Sequence, residues 1–521
     1  MPLVLLTLAL GAVTYWVIRR SATKTALVPL WVLWLIMMMP VLVFTFWILV
    51  NAGSPPPPWL LYGLMLVSTL LLWITLRVSS ARARQKQANV AEPADAKGTT
   101  KVTDKQTKPK KTVEKPITRD EETLLQRCFP WSIYYLQNIE YLPQAMICKG
   151  KLKASPGEAY DTVQQNVERN FGDRFLVLFQ ESFNGTPFFA LVPNPQAKNA
   201  EQALLKSAAG SAPSAARSAQ IARLRQLNQA KVTRPGLAIF LALATLLTTT
   251  YVGGTLIGGV SDISALHANP ALLLSGLAYG LSLMFILGVH ETGHYLATRY
   301  HRLRATLPYF IPVPFFLGTL GAFIQMRSPM PNRRALFDVG ISGPLAGLVV
   351  SLPILLWGLA HSTIVPLGES SQLLSFESLN PGRSILLLLL SKLALGGALT
   401  ADSALRLHPL AISGCLGLVV TALNLMPVGQ LDGGHIVHAM YGQRTAVTVS
   451  HVARILMLIL AYAYQEFLLW AFLLFFIPAA EPALNDVSEL NGPRDFLGLL
   501  SLALLVMIIL PAPAALRSLL L

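Results

Sequence analysis

Long apolar runs separated by polar stretches recur along most of the chain, and they predict a membrane protein. An uncharged apolar stretch of about 20 residues is long enough to cross a bilayer as a helix. Three such runs lie before residue 77 and seven more lie after Pro235. The predicted spans are 3–18, 29–50, 58–76, 236–258, 271–298, 338–360, 409–427, 446–463, 467–478 and 496–511.

The polar region between the two groups of runs has three parts. Residues 77–116 are almost free of large hydrophobic side chains, which predicts a disordered basic linker. Residues 117–194 predict a small α+β cytoplasmic domain, and residues 195–234 a connector. Within the domain, a helix starts at a proline and stops at a glycine, and three stretches are typical of strands: helix 156–172 and strands 144–152, 174–182 and 186–194.

Two further apolar stretches fit poorly as spanning helices. Residues 307–326 contain three prolines and two glycines, which favour a re-entrant, strand-like segment shielded by neighbouring helices. Residues 384–400 are interrupted by Lys392 and are expected to lie in the membrane interface. The predicted fold is an all-α polytopic membrane protein, a helical bundle with a short re-entrant strand-like segment, plus the small α+β domain. Residues 1–76 are its three N-terminal helices, and 235–521 its second transmembrane domain.

Charge along the chain predicts the topology. The loops at 299–304 and 332–334 are basic, and basic loops stay on the cytoplasmic side. The runs 271–298 and 409–427 therefore both end at the cytoplasmic face. Two distant motifs, one at the end of each run, should meet at the same depth.

The first motif is GVHETGHYLA, residues 288–297, which places ionisable groups in a membrane segment, where they are costly and mark function. His290 and His294 are four residues apart, so on a helix they share one face and can bind one ion. Zinc in hydrolases typically has three protein ligands and an open position for water. The two histidines therefore predict two ligands of a zinc site, and Glu291 beside them predicts a general base that passes its proton to the leaving amine.

The second motif is NLMPVGQLDGGH, residues 424–435. Asp432 is the predicted third ligand, because the glycines that follow it allow close approach of the backbone; His435 is an alternative. The Asn424 amide is predicted to hold the peptide carbonyl or the developing oxyanion. The alternative role for the Asn424 side chain is an interhelical hydrogen bond.

Charge and cysteine content narrow the function further. The net charge of +15 sits largely in juxtamembrane loops and in a lysine-rich tract at 101–115 with few aromatic residues, which argues against a nucleic-acid partner. The three cysteines are scattered and form no C-x-x-C pair, so they predict neither a disulfide framework nor a thiolate zinc site. The first run lacks a clear cleavage site, which favours a retained anchor, and no Arg- and Ser-rich leader is present. We expect a protein of a bacterial plasma membrane or a thylakoid membrane.

The motifs HETGHY, GTLGAF, GISGPLAG and NLMPVGQLDGGH resemble those of the site-2 protease family of intramembrane zinc metalloproteases, notably the branch shared by cyanobacteria and plastids. The resemblance covers roughly residues 117–505. It implies one Zn²⁺ per chain, held by His290, His294 and Asp432, with Glu291 catalytic and Asn424 assisting.

The resemblance also implies that GTLGAF lies near the site and pairs with an unfolding substrate strand. A strand edge can take up the amides that an unwound helix releases in the bilayer. Tight packing is the alternative reading of these glycines, and small-residue packing is the role predicted for GISGPLAG at 340–347. The expected substrate-binding residues are Gly318, Thr319, Leu320, Gly321, Ala322 and Phe323.

The expected function is hydrolysis of peptide bonds in or near transmembrane segments of membrane-anchored regulatory proteins, as in regulated intramembrane proteolysis. The expected partners are substrates with a transmembrane helix and the lipid bilayer, with the site facing the cytoplasm. A proteolytically inactive metal-binding scaffold or chaperone is an alternative, which the presence of Glu291 disfavours. A zinc transporter is a third, disfavoured because the ionisable groups cluster at one membrane face.

Overall fold

The structure is a computed structural model that divides into two compact units. The first consists of Met1–Lys111, Val428–Gln430 and Thr448–Ala479, and the second of Thr112–Pro427, Leu431–Val447 and Ala480–Leu521. The residues it describes are 7, 11, 12, 14, 15, 29–51, 57, 60, 63–68, 70, 71, 75, 117, 119–142, 145–182, 185–194, 234–257, 274, 276–313, 317–366, 379–400 and 403–520. The predicted linker 77–116, nearly all of the connector 195–234 and most of the runs 3–18 and 58–76 lie outside the described residues.

The elements with described bounds are mostly helices, with three small sheets. The α-helices are α1 (Leu30–Val50), α2 (Arg119–Arg127), α3 (Pro156–Phe171), α4 (Pro235–Ile257), α5 (Leu277–Tyr300), α6 (Arg333–Ala360), α7 (Ile385–Leu395), α8 (Pro409–Leu425), α9 (Asp432–Ala463), α10 (Leu468–Phe476), α11 (Gly492–Ile509) and α12 (Ala514–Leu520). The strands are β1 (Tyr134–Leu142), β2 (Ala145–Leu152), β3 (Phe175–Glu181), β4 (Pro187–Pro193), β5 (Tyr309–Pro312), β6 (Thr319–Phe323), β7 (Thr363–Pro366) and β8 (Ser403–Arg406).

Five of these helices are long and apolar enough to cross a membrane: α1, α4, α6, α9 and α11. The chain is therefore a multi-pass membrane protein. Helix α5 is not one of these five. Its 24 residues, a length of roughly 36 Å, are enough to cross a bilayer, but the half that contains the histidines is less hydrophobic. Helix α10 has only nine residues, roughly 14 Å against a hydrocarbon core of about 30 Å. The prediction of a span at 467–478 is therefore wrong.

The first unit contains α1 and the C-terminal half of α9. The indole N–H of Trp34 on α1 donates to the backbone oxygen of Gly11 at 2.9 Å. Arg454 on α9 donates to the carbonyls of Leu474 and Ile477 at 3.1 and 2.7 Å. Because these carbonyls lie at the end of α10, the guanidinium satisfies acceptors that a helix end leaves free.

The α+β domain of the second unit is a four-stranded antiparallel sheet in the order β1–β2–β4–β3, with α3 beside it. Ser155 caps α3 by accepting a hydrogen bond from the backbone N–H of Glu158, and Gly172 ends it at φ 62°. The predicted helix and three strands are confirmed. Strand β1 was missed, because it is rich in polar residues and its alternation is broken by a bulge between Leu136 and Asn138.

Two of the cysteines belong to the core of this domain. Cys128 and Cys148 are fully buried and not in disulfides. Burial raises the pKa of Cys148 to about 12 and also raises the pKa of Cys128. Both thiols therefore stay protonated at neutral pH, whereas metal coordination requires the thiolate.

A segment far along the chain completes the same domain. Val487 is part of its hydrophobic core and Leu484 packs against that core. The backbone N–H of Phe179 on β3 donates to Leu484 at 2.6 Å, and the N–H of Asp486 donates to the Phe179 carbonyl at 2.9 Å. The domain predicted at 117–194 therefore includes a piece of chain that follows α10.

The membrane helices of the second unit pack through small residues. A Cβ on Gly293 of α5 would lie 2.5 Å from the Ser342 carbonyl of α6. A Cβ on Gly414 of α8 would lie 2.6 Å from the Cβ of Leu355 of α6. Such close approach is the usual way that membrane helices associate, and it brings α5, α6 and α8 together around one site.

The apolar stretch 307–326 contains a β-hairpin, as its prolines and glycines predicted. Strand β5 pairs antiparallel with β6, with a register shift between Phe310 and Pro312.

Two predicted boundaries differ from the structure. The loop predicted at 332–334 is wrong: Asn332 caps α6 by accepting a hydrogen bond from the backbone N–H of Ala335 at 2.9 Å, so Arg333 and Arg334 begin the helix. Helix α9 is broken at Gly442, whose φ of 80° and ψ of 165° are not helical, and the predicted span 446–463 lies in the part after this break.

Candidate metal centre

The two histidines of the first motif lie one helical turn apart in the second half of α5. Both are buried, and their Nε2 atoms are 3.2 Å apart. This is the geometry that the i, i+4 spacing predicted, with both rings on the same face of one helix.

Asp432 reaches this pair because α8 and α9 are joined closely. Helix α8 ends at Leu425 and Asp432 is the first residue of α9. A Cβ on Gly433 would overlap the Leu425 carbonyl, so glycine lets the start of α9 lie against the end of α8. The sequence Asp-Gly-Gly thus starts a helix with its carboxylate at the N-terminal end.

The three side chains form a compact donor set. Asp432 Oδ2 lies 3.2 Å from His294 Nε2 and 3.6 Å from His290 Nε2. Within the described part of the chain, these residues are the one group of three or more His, Cys, Asp or Glu side chains with ligand atoms within 4.8 Å of one another. The two sequence motifs therefore converge in the structure.

The hydrogen bonding of His294 fits a metal ligand. Its Nδ1 lies 2.7 Å from the Val339 carbonyl of α6. A carbonyl only accepts, so Nδ1 carries the proton, and in the neutral ring the Nε2 lone pair on the side of Asp432 is available to a metal ion. Histidine ligands of zinc are usually held in this way, by a hydrogen bond from the other ring nitrogen. Two imidazoles and one carboxylate are a common ligand set of hydrolytic zinc.

GISGPLAG does more than pack helices, because two of its glycines lie directly against the two histidines. A Cβ on Gly343 would overlap the His294 imidazole. A Cβ on Gly347 would lie 3.1 Å from His290 Nδ1. The motif was predicted to be structural, and the structure shows that it shapes the space for both rings. The four-residue spacing of the glycines, equal to that of the histidines, was the signal for this pairing.

Gly343→Ala is expected to reduce zinc affinity by about 10- to 100-fold, the range seen when groups that orient ligands are lost. The added methyl group would displace the His294 ring. Zinc titration of the purified protein measures the effect. Gly347→Ala should have a smaller effect, because its contact is tight but does not overlap. Gly236→Ala, where a Cβ meets nothing within 4 Å, is the neutral control. Equal zinc affinity of all three variants would contradict this role.

Glu291 lies between the histidine pair and the hairpin. It is buried, with 8% of its surface exposed, and it interacts electrostatically with His294 and Asp432. The backbone N–H of Ile324, the residue after β6, also interacts electrostatically with its carboxylate. The carboxylate predicted to be the base thus lies close both to the donor set and to the end of the predicted substrate-binding strand.

Strand β6 contains five of the six residues of GTLGAF, and Gly318 precedes it. Among the described residues, β5 is its one strand neighbour. The Leu320 and Phe323 side chains are 66% and 46% exposed, which is high for large hydrophobic residues. Thr319 is buried and donates to the Ile311 carbonyl at 3.0 Å. Gly318 also packs tightly on α4, because a Cβ there would lie 2.5 Å from Thr249 Cα. Gly318 therefore has a packing role, whether or not it also contacts substrate.

Asn424 is at the edge of the donor set. Its Nδ2 lies 3.2 Å from His290 Nε2, which joins α8 to α5. The contact fits both interpretations made from the sequence, a group next to the reacting atoms and an interhelical hydrogen bond. His435, the alternative ligand, is outside the three-residue donor set.

Residues 278–464 match peptidase family M50. Similar curated proteins include "Probable zinc metalloprotease EGY1, chloroplastic" of Arabidopsis thaliana, 34% identical over 237 residues, 45% of this chain and 42% of the relative. "Probable zinc metalloprotease EGY2, chloroplastic" of the same plant is 27% identical over 417 residues, 77% of this chain and 68% of the relative. The chain thus spans less than half the length of the first of these relatives. No solved structure matches the chain.

The matched residues 278–464 include α5, α8 and the start of α9, and so every residue of the donor set. The segment that carries His290, His294 and Asp432 is thus a peptidase family M50 domain, and the chain is a homologue of the chloroplast EGY zinc metalloproteases.

Proposed function

We propose that the protein is an intramembrane zinc metalloprotease that hydrolyses peptide bonds in or near transmembrane segments of membrane-anchored regulatory proteins. The observation that carries the proposal is the donor set His290–His294–Asp432 inside a peptidase family M50 domain, with Glu291 beside it. The relatives' names specify zinc, and the donor set fits zinc.

His290, His294 and Asp432 would hold the ion. When bound, zinc supplies Lewis-acid chemistry, polarising the scissile carbonyl and making a water molecule more acidic. Glu291 accepts the proton from the attacking water and delivers it to the leaving amine. The Asn424 amide donates a hydrogen bond to the carbonyl oxygen as negative charge develops there.

The substrate is a segment of membrane protein that has unwound into an extended strand. A helix satisfies its own amides, so its peptide bonds are accessible only after unwinding, and a strand edge can then pair with the released groups. Strand β6 provides such an edge next to Glu291. Gly318, Thr319, Leu320, Gly321, Ala322 and Phe323 are the proposed substrate-binding residues, with Leu320 and Phe323 presenting exposed apolar surface.

The basic residues at 299–304 and 332–334 support an active site on the cytoplasmic side of a bacterial plasma membrane or the equivalent side of a thylakoid membrane. We assign residues 1–76 to N-terminal membrane helices, 77–116 to a linker, 117–194 to the α+β domain, 195–234 to a connector and 235–521 to the catalytic membrane domain, whose residues 484–487 also pack on the α+β domain. An inactive metal-binding scaffold remains the alternative function, and Glu291 disfavours it, since metal binding alone requires no buried base.

Removal of the metal tests the proposal. The purified full chain in lipid nanodiscs should cleave a synthetic transmembrane peptide, lose this activity on dialysis against a zinc chelator, and regain it with one equivalent of Zn²⁺ but not with Mg²⁺. Product analysis by mass spectrometry identifies the cut. Undiminished cleavage by zinc-free protein would exclude a metalloprotease.

A further inference from the structure

A short segment after α10, residues 483–488, lies between the α+β domain and the catalytic helices. On one side it pairs with β3, through the two backbone hydrogen bonds to Phe179 and a bond from Gln180 Nε2 to the Ala483 carbonyl at 2.8 Å. On the other side, the backbone N–H groups of Leu484 and Asn485 donate to the carbonyls of residues 330 and 331 at 2.8 and 2.9 Å. These carbonyls immediately precede α6.

Asp486 in this segment binds two catalytic-domain helices through one carboxylate oxygen. His438 Nε2 on α9 donates to its Oδ1 at 2.9 Å, and Arg333 Nε on α6 lies 3.3 Å from the same atom. All three residues are buried, with exposed fractions of 4% for Asp486, 0% for His438 and 7% for Arg333. Buried polar and charged groups stabilise a structure only when each keeps its partners, and loss of one partner is costly.

Both helices joined by Asp486 reach the donor set: α9 supplies Asp432, and α6 packs against the two histidines of α5. Helix α9 begins with Asp432, six residues or roughly 9 Å before His438. Helix α6 carries the Val339 carbonyl that orients His294 and the glycine that accommodates its ring. The Arg333 guanidinium also lies against Gly442, at the break in α9, since a Cβ there would be 2.6 Å from an Arg333 nitrogen. The position of α9 relative to α6 therefore depends on this cluster.

We propose that Asp486 is a positioning residue for the metal centre: by holding His438 and Arg333 together, it keeps Asp432 within reach of the two histidines, and it links the α+β domain to the zinc site. The inference rests on the proposed zinc site. Because linkage is reciprocal, zinc bound by α5 and α9 must stabilise the contact between segment 483–488 and β3.

Hydrogen–deuterium exchange of the full chain in nanodiscs, with and without Zn²⁺, tests this reciprocity. In the wild type, zinc should slow exchange in peptides that contain Phe179 and Asp486. In Asp486→Asn, the zinc-dependent protection should disappear and zinc affinity should fall about 10- to 100-fold, as for other groups that orient ligands. Glu489→Gln, an exposed acidic position in the same stretch, is the matched control and should behave as the wild type.

A second pair of variants tests the positioning role of Asp486 if Asp486→Asn does not fold. His438→Gln keeps an N–H group near the position of Nε2, whereas His438→Leu removes it. The proposal predicts near-normal zinc affinity for His438→Gln and a loss for His438→Leu. Wild-type affinity in His438→Leu, or zinc-independent exchange at Phe179 and Asp486 in a wild type that binds zinc, would overturn it. A wild type that binds no zinc would instead refute the proposed function.

Discussion

Glu291→Gln is expected to lower kcat for a transmembrane test peptide by about 100- to 10,000-fold, the contribution usual for a positioned general acid–base. Glutamine has nearly the shape of glutamate but cannot accept the proton from water. Because Glu291 is outside the donor set, the variant should retain one zinc ion per chain. Cleavage rate and bound metal are measured on the same preparation.

The combination of the two readouts separates chemistry from folding. Loss of both cleavage and zinc would mean that the substitution disturbs the site as a whole, because Glu291 is buried beside the donor set. Cleavage by the variant at the wild-type rate with normal zinc would show that Glu291 is not the general base. Asp495→Asn, on α11 and away from the donor set, is the control substitution.

Asp432→Ala is expected to reduce zinc affinity more strongly than Gly343→Ala, because it deletes a ligand instead of displacing one. The carboxylate supplies the negative charge of the donor set, and two neutral histidines hold zinc less tightly without it. The measurement is zinc content after dialysis against a chelator of graded strength, for the wild type and the variant at the same pH. Activity should fall in parallel with zinc content.

His435→Ala is the matched control for this experiment, since His435 is three residues away on the same helix and outside the donor set. It should keep its zinc. The opposite result, zinc retained in Asp432→Ala and lost in His435→Ala, would move the third ligand to His435.

Much of the membrane architecture follows from the sequence because long apolar runs leave the chain few alternatives. The runs 236–258, 271–298 and 409–427 appear as α4, α5 and α8 with bounds that differ by a few residues. The prolines of 307–326 exclude a regular helix, and β5 and β6 are found there. The run 467–478 was wrongly predicted to span the membrane, because apolar composition alone does not show where a helix ends, and α10 has only nine residues.

The donor set was predictable because its chemistry is rare inside an apolar sequence and because charge in the loops brings the two motifs to one face. The contacts that orient the donor set could not be predicted from the sequence. The bond from His294 to Val339 and the fit of Gly343 against the ring depend on how α5 and α6 pack, which no local pattern records. The link through Asp486 is even less visible, since ALNDVS is a short irregular segment whose partners lie more than 40 residues away.

The central claim is that two imidazoles and one carboxylate share a single zinc ion, and X-ray absorption at the zinc edge of the purified wild-type protein measures this directly. The account predicts a shell of nitrogen and oxygen atoms at about 2.0–2.2 Å, with the outer-shell scattering of two imidazole rings and no sulfur at about 2.3 Å. Absence of stoichiometric zinc, or a zinc shell with fewer than two imidazoles, would contradict it.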